Sequence, residues 1–99
     1  MRTEEVTIPE GVDLAGAEGA MEWCFGEAGL RVAMKGTLAA HRGCVHWHLK
    51  KGKERGTLEV TLWPAQRRVW LSVHANRGAE WVEGALRDLA GALPRALGV

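Results

Sequence analysis

At 99 residues the chain has room for one hydrophobic core, burying about two-thirds of the surface its unfolded form exposes, so a single domain over 1–99 is expected and a second is excluded. With 46% hydrophobic and 25% charged residues, the composition excludes a disordered or membrane-embedded chain. A net charge of +1 excludes a polyanion affinity carried by charge excess alone.

Val6 and Ile8 alternate with Thr7 over a possible extended arm, Glu4 to Ile8, which Pro9-Glu10-Gly11 interrupts. Asp13 is a candidate N-cap for a helix in which Leu14, Ala17, Met21 and either Cys24 or Phe25 recur at three- and four-residue steps. Gly26 and Gly29 are its candidate stops.

From Leu30 the period changes to two. A strand to Ala40 places Leu30, Val32, Met34 and Leu38 inward and Arg31, Lys35 and Thr37 outward. After His41-Arg42-Gly43, a strand from Cys44 to Lys51 turns Val45, Trp47 and Leu49 inward. After Gly52 to Gly56, a strand from Thr57 to Trp63 does the same with Leu58, Val60 and Leu62. After Pro64-Ala65-Gln66, a strand from Arg68 to Ala75 does so with Val69, Leu71 and Val73. Such short turns permit only antiparallel neighbours, because parallel ones need long crossovers. Asn76 is a candidate cap for a last helix with an apolar stripe of Val82, Ala85, Leu86, Leu89 and Leu93, which Pro94 ends or kinks.

The expected fold class is therefore α+β: a four-stranded antiparallel meander flanked by an N-terminal and a C-terminal helix, both packed on one face. Trp23, Trp47 and Trp81 read as core residues. The start is polar, and no apolar run approaches the roughly 20 residues of a spanning helix, so a cytoplasmic protein is expected and no membrane partner. Two cysteines are too few for a disulfide framework and lack the CxxC spacing of a zinc or redox site. Single copies of Asn, Gln and Ser, amid abundant Arg, Glu, Ala and Gly, fit a GC-rich genome and a thermophile.

Charge divides along the chain. Residues 1–30 carry Arg2 against Glu4, Glu5, Glu10, Asp13, Glu18, Glu22 and Glu27, whereas residues 31–77 are basic apart from Glu54 and Glu59. The meander places Lys50, Lys51, Lys53 and Arg55 at one end of the sheet and Arg42, Arg67 and Arg68 at the other. Strand parity turns Trp63 and Trp70 onto the face opposite the Val/Leu core. Such a tryptophan pair reads first as covered by a partner subunit, the N-terminal arm or a helix end, with base stacking as the alternative.

His46 and His48 share one face of their strand and could in principle bind one metal ion, with Cys44 beside them, but a histidine-bearing strand reads first as exposed or hydrogen-bonded imidazoles, and no metal site is expected. His74 lies on the same face two strands away, roughly 9–10 Å off at the backbone, which argues against a compact three-histidine site. Glu59 is placed to pair with His48 across strands. No cofactor is implied, and neither Cys44 with His46 nor Ser72 with His74 makes a nucleophile–base pair. The favoured reading is a non-enzymatic interaction domain that self-associates as a homodimer or larger oligomer. The alternative is an anion- or nucleic-acid-binding module using the basic turns and the tryptophan pair.

Overall fold

The alternating segments form the expected meander, and a fifth strand extends it. The computed structural model describes residues 1–98. Its strands are β1 (Arg2–Glu5), β2 (Arg31–Gly36), β3 (Val45–Lys50), β4 (Leu58–Trp63) and β5 (Arg68–Val73), and its helices are α1 (Glu18–Glu27) and α2 (Glu80–Leu97). One antiparallel sheet has the order β1-β5-β4-β3-β2.

The sheet thus has five strands rather than four. The added strand is the polar segment Arg2–Glu5, which pairs with β5 from Arg2↔Val73 to Glu5↔Trp70. An edge strand needs little apolar surface, since backbone hydrogen bonds and charged side chains suffice to hold it. Here Arg68 pairs with Glu5, and Arg2 reaches Glu83 on α2. Val6 prolongs the pairing by donating to the Val69 carbonyl at 2.9 Å and buries its side chain.

Both helices pack on the Val/Leu face. Met21, Cys24 and Phe25 of α1 and Trp81, Val82, Leu86, Leu89, Leu93 and Leu97 of α2 join Leu49, Val60, Leu62, Val69 and Leu71 in one core. Asp13 caps as expected, accepting from Ala15 N–H at 2.9 Å, but what it caps is a 3-10 turn at Leu14–Gly16 that precedes α1. Asn76 does not cap α2. It lies within a 3-10 turn at Ala75–Arg77, and Ala79 stands at the N-cap without a side-chain bond. Pro94 does not end α2, which runs on to Leu97 without the bond that a residue with an N–H at that position would give the Ala90 carbonyl.

Trp23 departs from the core role expected of it and is 65% exposed. Met21, Cys24 and Phe25 define the buried side of α1, and a residue two after Met21 points away from it. Both cysteines are free and buried, and burial pushes the Cys24 thiol up. Among the described residues, no helix is long and apolar enough to cross a membrane.

A bulge between Val32 and Met34 changes the parity of β2. Val32 pairs with Leu49, an inward residue, yet Met34 pairs with His48 and Lys35 with Trp47. Met34 therefore stands on the outer face and Lys35 on the helix face, the reverse of what strict alternation predicts. Lys35 there meets Glu18 and Glu22 of α1 at 2.5 and 2.6 Å. Glu22 also accepts from the Trp47 indole at 2.9 Å.

The Lys35 ammonium, then the Trp47 N–H, hold the Glu22 carboxyl below the usual carboxylate range. A depressed carboxyl stabilises the fold above its unfolded value, about 4.3, and this contribution is lost as pH falls through the folded value. Glu22→Gln keeps an acceptor for Trp47 but cannot titrate. The stability gap between wild type and this variant should therefore narrow as pH is lowered through the carboxylate range, read by urea unfolding at each pH. Glu22→Ala leaves a buried indole N–H without its partner and should cost about 1–2 kcal/mol at neutral pH.

The hairpin from Lys51 to Gly56 is locked against the start of α2. Trp81 donates its indole N–H to the Arg55 carbonyl at 2.6 Å, and Thr57 N–H bonds to the Arg77 carbonyl. Gly56 sits at φ +102°, and a Cβ there would lie 2.7 Å from the Ala79 Cβ and 3.0 Å from Val82 Cγ2. Both the backbone angle and the space exclude a side chain. Gly56→Ala should lower the unfolding free energy by about 2–3 kcal/mol, measured by chemical denaturation.

Candidate metal and anion site on the outer sheet face

β4 is the central strand, so even its outward residues are covered. Thr61 is fully buried and Glu59 nearly so. Cross-strand register sets their neighbours: His46 lies opposite Thr61, His48 opposite Glu59, and Glu59 opposite Ser72. His74 stands two residues beyond Ser72, within diagonal reach of Glu59.

The four side chains converge. His46 Nε2 is 3.0 Å from Glu59 Oε1, His48 Nε2 is 3.7 Å from the same oxygen, and His74 Nε2 is 3.1 Å from Oε2. Arg77 Nη1 approaches Oε2 at 3.8 Å and His48 Nδ1 at 3.4 Å. His46, His48 and Glu59 each offer one ligand atom within a span of 4.8 Å. His74 joins the group through the carboxylate that stands between the histidines, and the compact set is His46, His48 and Glu59 rather than three histidines. The signal for Glu59 was present in the sequence as a partner for His48; its reach to His46 and His74, and the parts of Thr61 and Arg77, required the register.

His46 Nδ1 lies 2.8 Å from Thr61 Oγ1. A hydroxyl both donates and accepts, so this bond survives either neutral tautomer of His46. With Thr61 donating, Nε2 carries the proton and donates to Glu59. With Thr61 accepting, Nδ1 carries it and the Nε2 lone pair is open to a cation. Burial holds the His48 imidazole below its usual range, against the opposing pull of Glu59. Met34, Leu38, Asn76 and Arg77 complete a cavity of about 390 Å³ beside the cluster.

The tryptophan pair expected on the outer face is largely covered. Trp70 is only 8% exposed and Trp63 is half-buried. The connection between β2 and β3 folds over them: the His41 ring lies 4.7 Å from that of Trp63 at 90° and 5.2 Å from that of Trp70. Trp63 donates to the Arg42 carbonyl at 3.0 Å. The connection is itself tied by Leu38 N–H on Cys44 Sγ and Cys44 N–H on the His41 carbonyl. Strict alternation carries the strand to Ala40, but β2 stops at Gly36 and frees this segment to cover the aromatics.

The basic residues divide. Arg68 pairs with Glu5 and stacks its guanidinium 4.4 Å over Trp70, while Arg67, in the left-handed region at φ 50°, donates to the Pro9 and Val12 carbonyls. Both arginines anchor the N-terminal segment. At the opposite end Lys51 and Lys53 are exposed on the hairpin. Lys50 and Arg55 line a groove with Arg77 next to the histidine cluster. Compared with protein-family models, with curated proteins and with solved structures, the chain finds no match in any of the three, so its functional reading rests on this geometry.

Proposed function

We propose that the domain binds one divalent transition-metal ion on the outer face of its sheet, held by His46, His48 and Glu59 with His74 as a further donor. The observation that carries this reading is the gathering of three ligand atoms within 4.8 Å, on strands whose register is set by the core. Imidazole nitrogen with carboxylate oxygen is a donor set suited to zinc and its neighbours. Thr61 supports it by accepting from Nδ1–H and so orienting the His46 ring, as outer partners of ligating histidines do. His48 binds through Nε2 only with Nδ1 protonated, so Arg77, which can only donate, must turn away from it.

The test is a cobalt(II) titration of protein purified without a histidine tag. One equivalent should bring up intense visible bands of a low-symmetry nitrogen and oxygen site, and His46→Ala and Glu59→Gln should abolish them. Bands of the weak, octahedral aqueous type at every ratio would defeat the reading.

Self-association is a second reading, favoured by the free edge of the sheet rather than by the covered tryptophans. All of β2 is exposed, with Val32 at 41% and Met34 at 45% on the outermost strand. Such an edge offers unpaired backbone groups to a second copy. Light scattering coupled to size exclusion should show a dimer that Val32→Lys returns to monomer; a wild type that stays monomeric at high concentration removes this reading.

A further inference from the structure

We infer that the groove beside the histidine cluster is a subsite for a small phosphate-bearing molecule, held by Lys50, Arg55 and Arg77. The groove has a volume of about 530 Å³, and Thr57 and Asn76 complete its polar lining, with no carboxylate among the residues that form it. That volume is of the size that encloses a small organic ligand. It shares Met34, His48, Asn76 and Arg77 with the cavity of the cluster, so the two are continuous.

Two of the three cations, Lys50 and Arg77, have side chains held in place. Lys50 Nζ is fixed by a 2.9 Å bond to the Gly56 carbonyl and retains two further N–H donors. The backbone that carries Arg55 is pinned by Trp81 through the Arg55 carbonyl. Arg77 spends one nitrogen on the long contacts to Glu59 and His48, which leaves its other guanidinium N–H groups for an anion. A planar guanidinium with a point-charge ammonium beside it matches the oxygens of a phosphoryl group.

The groove favours a small molecule over a polynucleotide. A nucleic-acid backbone needs a continuous basic track, and at the other basic end of the sheet two of the three arginines are taken up internally, Arg68 by Glu5 and Arg67 by the Pro9 and Val12 carbonyls, which leaves Arg42 alone exposed there. Between the two ends lie the histidine cluster and the covered tryptophans. The cationic surface is a pocket at one end, not a stripe.

The groove's three cations are not metal ligands, so the inference is tested on the chain in the presence of a chelator, independently of the metal. Phenyl phosphate and inorganic phosphate are titrated and followed by amide shifts in two-dimensional NMR, with a single-stranded oligonucleotide as a third arm. Saturable phenyl phosphate binding that moves the amides of residues 50–57 and 76–77 is expected, with Arg55→Gln/Arg77→Gln weakening it about tenfold or more and Lys51→Gln/Lys53→Gln changing it less than about twofold. Arg55→Gln alone, at an exposed side chain, should weaken it measurably without touching the fold. Binding that is unsaturable, or equal in wild type and both arginine variants, overturns the inference. So does tighter binding of the oligonucleotide that depends on Lys51 and Lys53. Inorganic phosphate binding as tightly as its phenyl ester would identify free phosphate as the ligand of the same subsite.

Discussion

Replacing Trp47 by alanine should destabilise the domain by about 3–5 kcal/mol, the range for deleting a large aromatic from a packed core. Trp47 is 0% exposed, sits edge-on to Phe25 at 5.2 Å, donates to Glu22 and lies under the Lys35 ammonium. It joins the centre of β3 to α1, and His46 and His48 flank it on the opposite face of the same strand. Domains are stable by only about 5–15 kcal/mol in total, so this loss removes a large share of the margin. Trp47→Phe keeps much of the apolar volume but forfeits the indole bond, and should lose clearly less. Urea unfolding followed by far-ultraviolet circular dichroism measures both; a loss under about 2 kcal/mol for the alanine variant would mean that the core closes over the gap.

Zinc at a free concentration a hundred times its dissociation constant should stabilise the wild type by about 2.7 kcal/mol, because only the folded chain assembles the site. For a domain of this size that is a rise of about 10–20 °C in melting temperature. Glu59→Gln and His46→Ala should show no rise. Thr61→Val, which keeps the shape of the side chain but removes the hydroxyl that orients His46, should weaken affinity about 10- to 100-fold and shrink the rise accordingly. His74→Ala separates two roles: a lost rise makes His74 a ligand, and an unchanged one makes it a hydrogen-bond partner of Glu59. Equal rises in wild type and Glu59→Gln, by differential scanning fluorimetry, would place the metal elsewhere.

Some elements were legible because local physics decides them. The alternation of Val45, Trp47 and Leu49, of Leu58, Val60 and Leu62, and of Val69 and Leu71 marks three strands with one buried face, and the short turns between them leave only antiparallel pairing. The stripe from Val82 to Leu93 marks α2, and Asp13 marks the approach to α1, for the same reason: the period of the backbone places those side chains together. The outward parity of His46, His48, Glu59, Trp63 and Trp70 follows from the same alternation.

What the tertiary structure alone decided depends on groups distant in sequence. The alternation of Val6 and Ile8 points to an extended arm at Glu4–Ile8, but the strand that forms is Arg2–Glu5, shifted toward the N-terminus and placed by the edge that β5 offers. The bulge that exchanges the faces of Met34 and Lys35 answers to Trp47 and to the acidic side of α1, not to β2 itself. The tryptophans are covered because a loop of a different hairpin turn closes over them, and burial is a property of what packs against a residue rather than of its own strand. Glu59 becomes the meeting point of three histidines because it lies on the middle strand, where side chains from both neighbouring strands reach it. Period and parity are written into the chain residue by residue; proximity across strands is set only when the core closes.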